Sequence, residues 1–232
     1  TQAADKDKGD QWDHTAIDAE TRLLISVVPG RRTLDSCVTL VQAVKDKTGD
    51  RSDMFFTTDE HSSYQTAINK VYQEPSEKSK KNEEETPSKI KGKLPENLCY
   101  ATVRKTRKHG RVIEIVLTLV FGVMSLLTDY LKRSSVSNVI NTSFVERQNG
   151  TDRGQNSRKR RKTVGFSKKL DVHQAMTYFT LYSYNFCWPV RTLAIQNGSK
   201  KLKRTPAMAA GLANHVWSIE EWVMYPVILH SQ

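Results

Sequence analysis

Apolar positions along this chain repeat with two different periods, and the changes between them mark its elements. "QWDHTAID" and "RLLISVVPG" are short β-rich runs joined by the turn-like "AET", which predicts a hairpin. "TLDSCVTLVQAVKDKTG" puts Leu34, Val38, Val41 and Val44 on one helical face, with Thr33 or Asp35 near its start and Gly49 at its end. "DMFFTTDE" reads as a short apolar strand ending on an acid, and "SSYQTAINKVYQ" as a second helix. Strand, strand, helix, strand, helix implies an α/β layer architecture.

Residues 75–95 break this pattern. They are nearly free of apolar side chains and rich in Lys, Glu, Ser and Pro, as a solvated surface insertion would be. Two β-rich runs then flank "RKHGR", predicting a hairpin with a basic tip. The uncharged apolar-rich run Ile115 to Thr128 has 14 residues, short of the roughly 20 that span a bilayer. It reads as core. "NTSFVERQN" leads into a helix for which Asn141 or Thr142 is available as a cap. "DVHQAMTYFTLYSYNFCWPV" follows as a helix carrying Tyr178, Tyr182 and Phe186, a spacing that suits a core stripe better than a platform for stacked bases. No internal repeat is visible.

Composition adds a partner to this picture. The 232 residues carry a formal net charge of +11, and the sequence pI is near 9.6, which points to a polyanion such as nucleic acid. The charge is clustered: from Arg147 to Lys169 there are nine Lys or Arg and one acid, Asp152. Cys37, Cys99 and Cys187 are far apart in sequence and form no CxxC pair, which fits a reducing cytoplasm and no disulfide framework. There is no signal-peptide pattern, and residues 1–10 read as a polar linker or the cut end of something longer.

Two carboxylates have the right placement for chemistry. Asp59, with Glu60 as its alternative, falls at the C-terminal end of an apolar strand, where α/β sites form. A helix N-cap is the plainer role for it. Glu146 heads the basic segment, and on a helix over 143–157 it shares a face with Asn149 or Gly150, Arg153 and Ser157. Carboxylates from distant segments beside a cationic groove suit Mg²⁺ or Mn²⁺, two such ions about 4 Å apart clamping a phosphodiester in transfer. Arg147, Arg153, Arg158, Lys159, Arg160, Arg161, Lys162 and Lys168 would hold the DNA backbone. The histidines show no HExxH spacing, and no GxSxG or GxxxxGKS motif occurs.

"TDEHSSY", "NTSFVERQNGTDR", "RKTVGFSK" and "YSYNFCWPVRTL" resemble the catalytic region of DDE-type transposases, closest to the insertion-sequence-one family. "WDHTAID" and "RLLISVVPGRRT" resemble the second and third strands of its RNase H-like core. The resemblance runs from about Gln11 to Thr192 and implies an α/β fold with a mixed sheet flanked by helices, residues 193–232 forming a C-terminal extension. It also implies double-stranded DNA at transposon ends and targets, Mg²⁺ or Mn²⁺, cleavage and strand transfer, a homodimer or higher oligomer on DNA, and a bacterial, nucleoid-associated setting. Asp59 matches the second acid of the family triad and Glu146 the third, so both are its implied catalytic residues and metal ligands. The strand with the first acid has no counterpart, and of the nearby Asp10, Asp13 and Asp18 none is assigned to its place, because Trp12 to Asp18 matches the strand after it. A metal-dependent nuclease and an inactive DNA-binding remnant are the alternative expectations.

Overall fold

The computed structural model describes residues 12–74, 93–159, 165, 167 and 169–226. Most of the charged insertion, and the predicted contacts Arg160, Arg161, Lys162 and Lys168, lie outside the described residues. The chain adopts the expected mixed α/β class, its described strands divided among three small sheets. Two compact units form, one from Gly30–Ser143 and the other from Thr1–Pro29 with Phe144–Gln232.

The Gly30–Ser143 unit begins with α1 (Leu34–Lys47), started by Thr33, whose Oγ1 accepts a hydrogen bond from the Ser36 amide. It ends at Thr48 before Gly49, whose φ of +67° an ordinary residue resists. β3 (Phe55–Asp59), α2 (Ser62–Tyr72) and β4 (Cys99–Lys108) make a crossover unit in which β3 and β4 run parallel, Phe55 opposite Cys99 and Asp59 opposite Val103. β4 turns back into β5 (Arg111–Phe121) through His109 and Gly110, at φ 49° and 78°. Two successive positive φ angles are the mark of a type I′ turn, so the basic-tipped hairpin is present. α3 (Met124–Arg133) follows. The core gathers Cys37 and Val41 from α1, Ala67, Ile68 and Val71 from α2, and Tyr100 from β4.

One expectation holds only in part. The uncharged run Ile115 to Thr128 is core only in part: it forms most of β5, an edge among the described strands, and the start of α3, and within it Val120 and Phe121 pack against the core cluster. Val112, Ile113, Ile115, Leu117, Val123 and Met124 in and around it are exposed, and in α3 only Leu127 is buried. Lack of charge made the run look buried, yet one side of an edge strand has no neighbour to bury it.

The second unit pairs β1 (Trp12–Ile17) with β2 (Leu24–Gly30). Asp18 holds the loop between them by accepting from the Glu20 and Thr21 amides. The hairpin rests on α5 (Leu170–Cys187), where Leu181 and Tyr182 meet Leu24 and Val27. Asn185 works like a missing strand partner: its Oδ1 accepts from the Leu24 amide and its Nδ2 donates to the Leu24 carbonyl, both at 2.9 Å. The buried stripe of α5 is His173, Thr177, Leu181 and Tyr184, one step round from the aromatic stripe read from the sequence. Tyr178 is exposed and stacks on Tyr182, while Phe186 packs on Trp217. α4 (Ser143–Gln155), β6 (Ile195–Asn197), β7 (Lys200–Leu202), α6 (Pro206–Ala209) and α7 (Ile219–Met224) complete the elements. Among the described residues no helix is long and apolar enough to cross a membrane, and Cys37, Cys99 and Cys187 are free thiols.

Candidate nucleic-acid interface

Beyond Phe144 and Val145 in its first turn α4 is polar, so its position depends on hydrogen bonds and charge more than on apolar burial. Asn141 turns the chain into it, its Oδ1 accepting from the Ser143 amide at 3.1 Å. One face is buried although polar, with Gln148 and Asp152 at i and i+4. Asn149 is drawn to β1, accepting a 3.2 Å hydrogen bond from Thr15. The other face carries Glu146, Arg147, Gly150 and Arg153, all exposed. Glu146 in the first turn and Arg153 in the last both complement the helix dipole, which is a structural reason for each to be there. The α-helix stops at Gln155, so Ser157, expected on the Glu146 face, belongs instead to a short 3-10 turn (Ser157–Lys159); Arg158 in that turn is exposed.

Beneath this face lies a buried ionic cluster. Lys159 Nζ contacts Asp13 Oδ2 at 3.0 Å and also Asp152 Oδ2, while His173 Nε2 lies 3.0 Å from Asp13 Oδ1. The four side chains come from β1, α4, the 3-10 turn and α5. The Lys159 side chain is only 5% exposed, so its expected role as a phosphate contact is replaced by an internal one: two carboxylates hold the ammonium inside. The two acids respond differently. Burial pushes Asp13 up, but the His173 hydrogen bond and the Lys159 charge outweigh it and hold the carboxyl below its ordinary value. Burial also pushes Asp152 up, and there it prevails over Lys159. The contacts explain the contrast, since both Asp13 oxygens are partnered and Asp152 Oδ1 is buried without a hydrogen bond.

In the other unit Asp59 ends β3 with its side chain 61% exposed, 3.8 Å from the Arg32 guanidinium. Glu60 pairs with Arg104 at 3.7 Å. Asp59 is not the cap of α2, which starts at Ser62 with His61 in the cap position and no capping side chain. Around the strand end, Thr58 and Tyr100 share a 2.8 Å hydroxyl contact, and the Cys37 thiol is pushed up to about 11 by burial with help from the Asp59 charge.

Asp59 thus belongs to one unit and Glu146 to the other. Among the described residues no group of three or more His, Cys, Asp or Glu side chains gathers as a metal site, and Asp59 has a guanidinium as its neighbour. The described carboxylates of each unit instead meet cations: Asp59 lies by Arg32, and Asp13 and Asp152 hold Lys159.

The sequence reading missed one cationic element. β6 and β7 form a hairpin with Asn197 opposite Lys200 and a positive φ at Gly198. It presents Lys200, Lys201 and Lys203 to solvent. Its root is fixed by Arg204, whose Nε donates to the Leu193 carbonyl and whose own carbonyl accepts from the Val190 amide. The detectable signal was the absence of any acid between Asp171 and Glu220. Comparison with family models, with curated proteins and with solved structures gives no match to this chain.

Proposed function

We propose that this chain is the RNase H-like region of a DDE-type transposase, and that its own activity is to grip double-stranded DNA. The observation that carries the reading is the outward face of α4 and the turn after it. There Arg147, Arg153 and Arg158 stand exposed on a base that binds its own charges internally. Guanidinium groups on a fixed backbone suit phosphate oxygens, which they meet with paired N–H donors. The cluster below fixes the geometry, because Lys159 ties the end of the cationic turn to β1 and α4.

A second reading is a cleaving domain with Asp59 and Glu146 as ligands of Mg²⁺ or Mn²⁺. It is favoured by the exposure of both carboxylates, one at a strand end and one in a first helical turn. The Arg32 guanidinium beside Asp59 competes with a metal ion for that carboxylate, so binding without cutting is the reading preferred.

Fluorescence anisotropy with a labelled duplex tests this. Arg147, Arg153 and Arg158 replaced together by Ala should weaken binding and lower the log–log salt slope by about 3, near 0.9 for each phosphate no longer neutralised. Glu146→Gln and Asp59→Asn should leave affinity unchanged. Equal affinity in the triple variant rules out the α4 face as the grip. Rapid duplex cleavage in Mg²⁺, abolished by either carboxylate change, would favour the second reading.

A further inference from the structure

Among the described strands β5 is an edge, eleven residues long, on the far side of β4 from β3, with no Pro or Lys in it. Edges in natural proteins are guarded by just those residues, or by bulges, since an open row of N–H and C=O groups recruits other strands. Here the register shifts near both ends of the β4–β5 ladder, leaving a regular stretch in which Glu114 to Leu119 face Thr106 to Ala101. Within it Ile115 and Leu117 point to one face and are 57% and 46% exposed. Val123 and Met124, also exposed, adjoin the strand end. An apolar edge of this length, uncharged except for Arg111 and Glu114, is out of place in a chain of net charge +11.

We infer that β5 is the interface for a second copy of this chain, paired antiparallel about a two-fold axis at Val116. The sequence is self-complementary there. Val116 is the middle residue of Arg111–Phe121, so the two strands overlap over their whole length. Ile115 of each copy then lies opposite Leu117 of the other, on one face, and Glu114 lies opposite Thr118. Isologous pairing of this kind closes on itself and leaves no open edge to propagate. Charge selects the antiparallel sense. Each hairpin tip carries Arg107, Lys108 and Arg111, and parallel strands would set the two tips side by side. In the antiparallel pair they stand at opposite ends, roughly 35 Å apart at about 3.4 Å per residue, well beyond a screening length of about 10 Å. The result is a six-stranded sheet with β5 at its centre, and it does not depend on the proposed DNA activity.

Sedimentation of the full chain without DNA tests the inference. A dimer is expected, and Ile115→Lys with Leu117→Lys should make it monomeric with an unchanged far-UV circular dichroism spectrum. Should that double variant fail to fold, Val116→Cys in a Cys187→Ser background decides: a short thiol–thiol crosslinker should join its copies, while the Cys187→Ser parent, whose Cys37 and Cys99 are buried, stays unlinked. A wild type that is monomeric at every concentration overturns the proposal. So does a dimer that survives the lysine pair and does not crosslink at position 116, which would mean that another surface joins the copies or that β5 is covered by its own chain.

Discussion

Lys159 shows how little the kind of charge says about its use. It stands in a run of cations, yet its ammonium is enclosed by Asp13 and Asp152. Removing one partner of a buried pair leaves the others uncompensated, so Lys159→Met should cost about 3–5 kcal/mol in denaturant melts. Asp152→Asn should cost far less, because Asp13 still pairs with Lys159 and the carboxyl that is removed had one unsatisfied oxygen. The pH dependence separates the two acids. Asp13 is held below its ordinary 3.8, so its contribution is full above that value and is lost as pH falls below it. Asp152 is raised, so its charged form opposes folding at neutral pH, and that cost is relieved as pH falls through its folded value toward 3.8. Asp13→Asn should therefore lower stability at pH 7 and flatten its acid loss below 3.8, whereas Asp152→Asn should remove the relief above 3.8. Equal profiles for the two variants would contradict the asymmetry. The sequence could not disclose this cluster: Asp13 and Lys159 are 146 positions apart and carry no mutual spacing signal.

At the level of elements, legibility followed the number of neighbours that an element has. α1 and α2 bury one face against a sheet, so periodicity located both, and the type I′ turn was written in "HG". α5 was found, but packing chose a stripe beside the expected aromatics: Asn185 bonds to Leu24, and the ring buried on that side is Tyr184. β5 was read as core because burial was inferred from the absence of charge, and α3 went unseen within the same run. β6 and β7 were too short to show a period. Two glycines make a test at this scale. Gly110 at φ +78° faces open space, so Gly110→Ala should cost only backbone strain, about 1 kcal/mol. Gly122 at φ +94° joins β5 to α3, and a Cβ there would meet the Leu98 carbonyl oxygen at 3.0 Å and Cys99 Sγ at 3.2 Å. Strain and collision combine, so Gly122→Ala should be clearly the more destabilising in chemical denaturation. A reversed order would mean that the β5–α3 junction yields more readily than its contacts suggest.

Across the whole molecule the excess of 11 positive charges is not spread evenly. In the unit that contains α4, cations stand on the α4 face and on the β6–β7 hairpin, and the stretch with the hairpin holds no acid between Asp171 and Glu220. Lysines on a surface are often no more than solvated, and a short hairpin can exist for packing alone. The hairpin here contributes little packing, since all six of its strand residues are exposed. Its root, by contrast, is held by Leu193, Thr205 and Pro206, all buried. A firmly rooted, outward-pointing basic loop is the arrangement that adds phosphate contacts without ordering new chain. Replacing Lys200, Lys201 and Lys203 together by Gln should therefore lower the salt slope of DNA binding by about 2–3, close to 0.9 for each phosphate released. The fold should be untouched, because none of the three side chains is buried. Combined with the α4 arginine changes, the effects on log K should add if the two surfaces hold separate phosphates. A slope unchanged by the lysine substitutions would assign the hairpin to solvent and leave α4 to carry the binding in this unit.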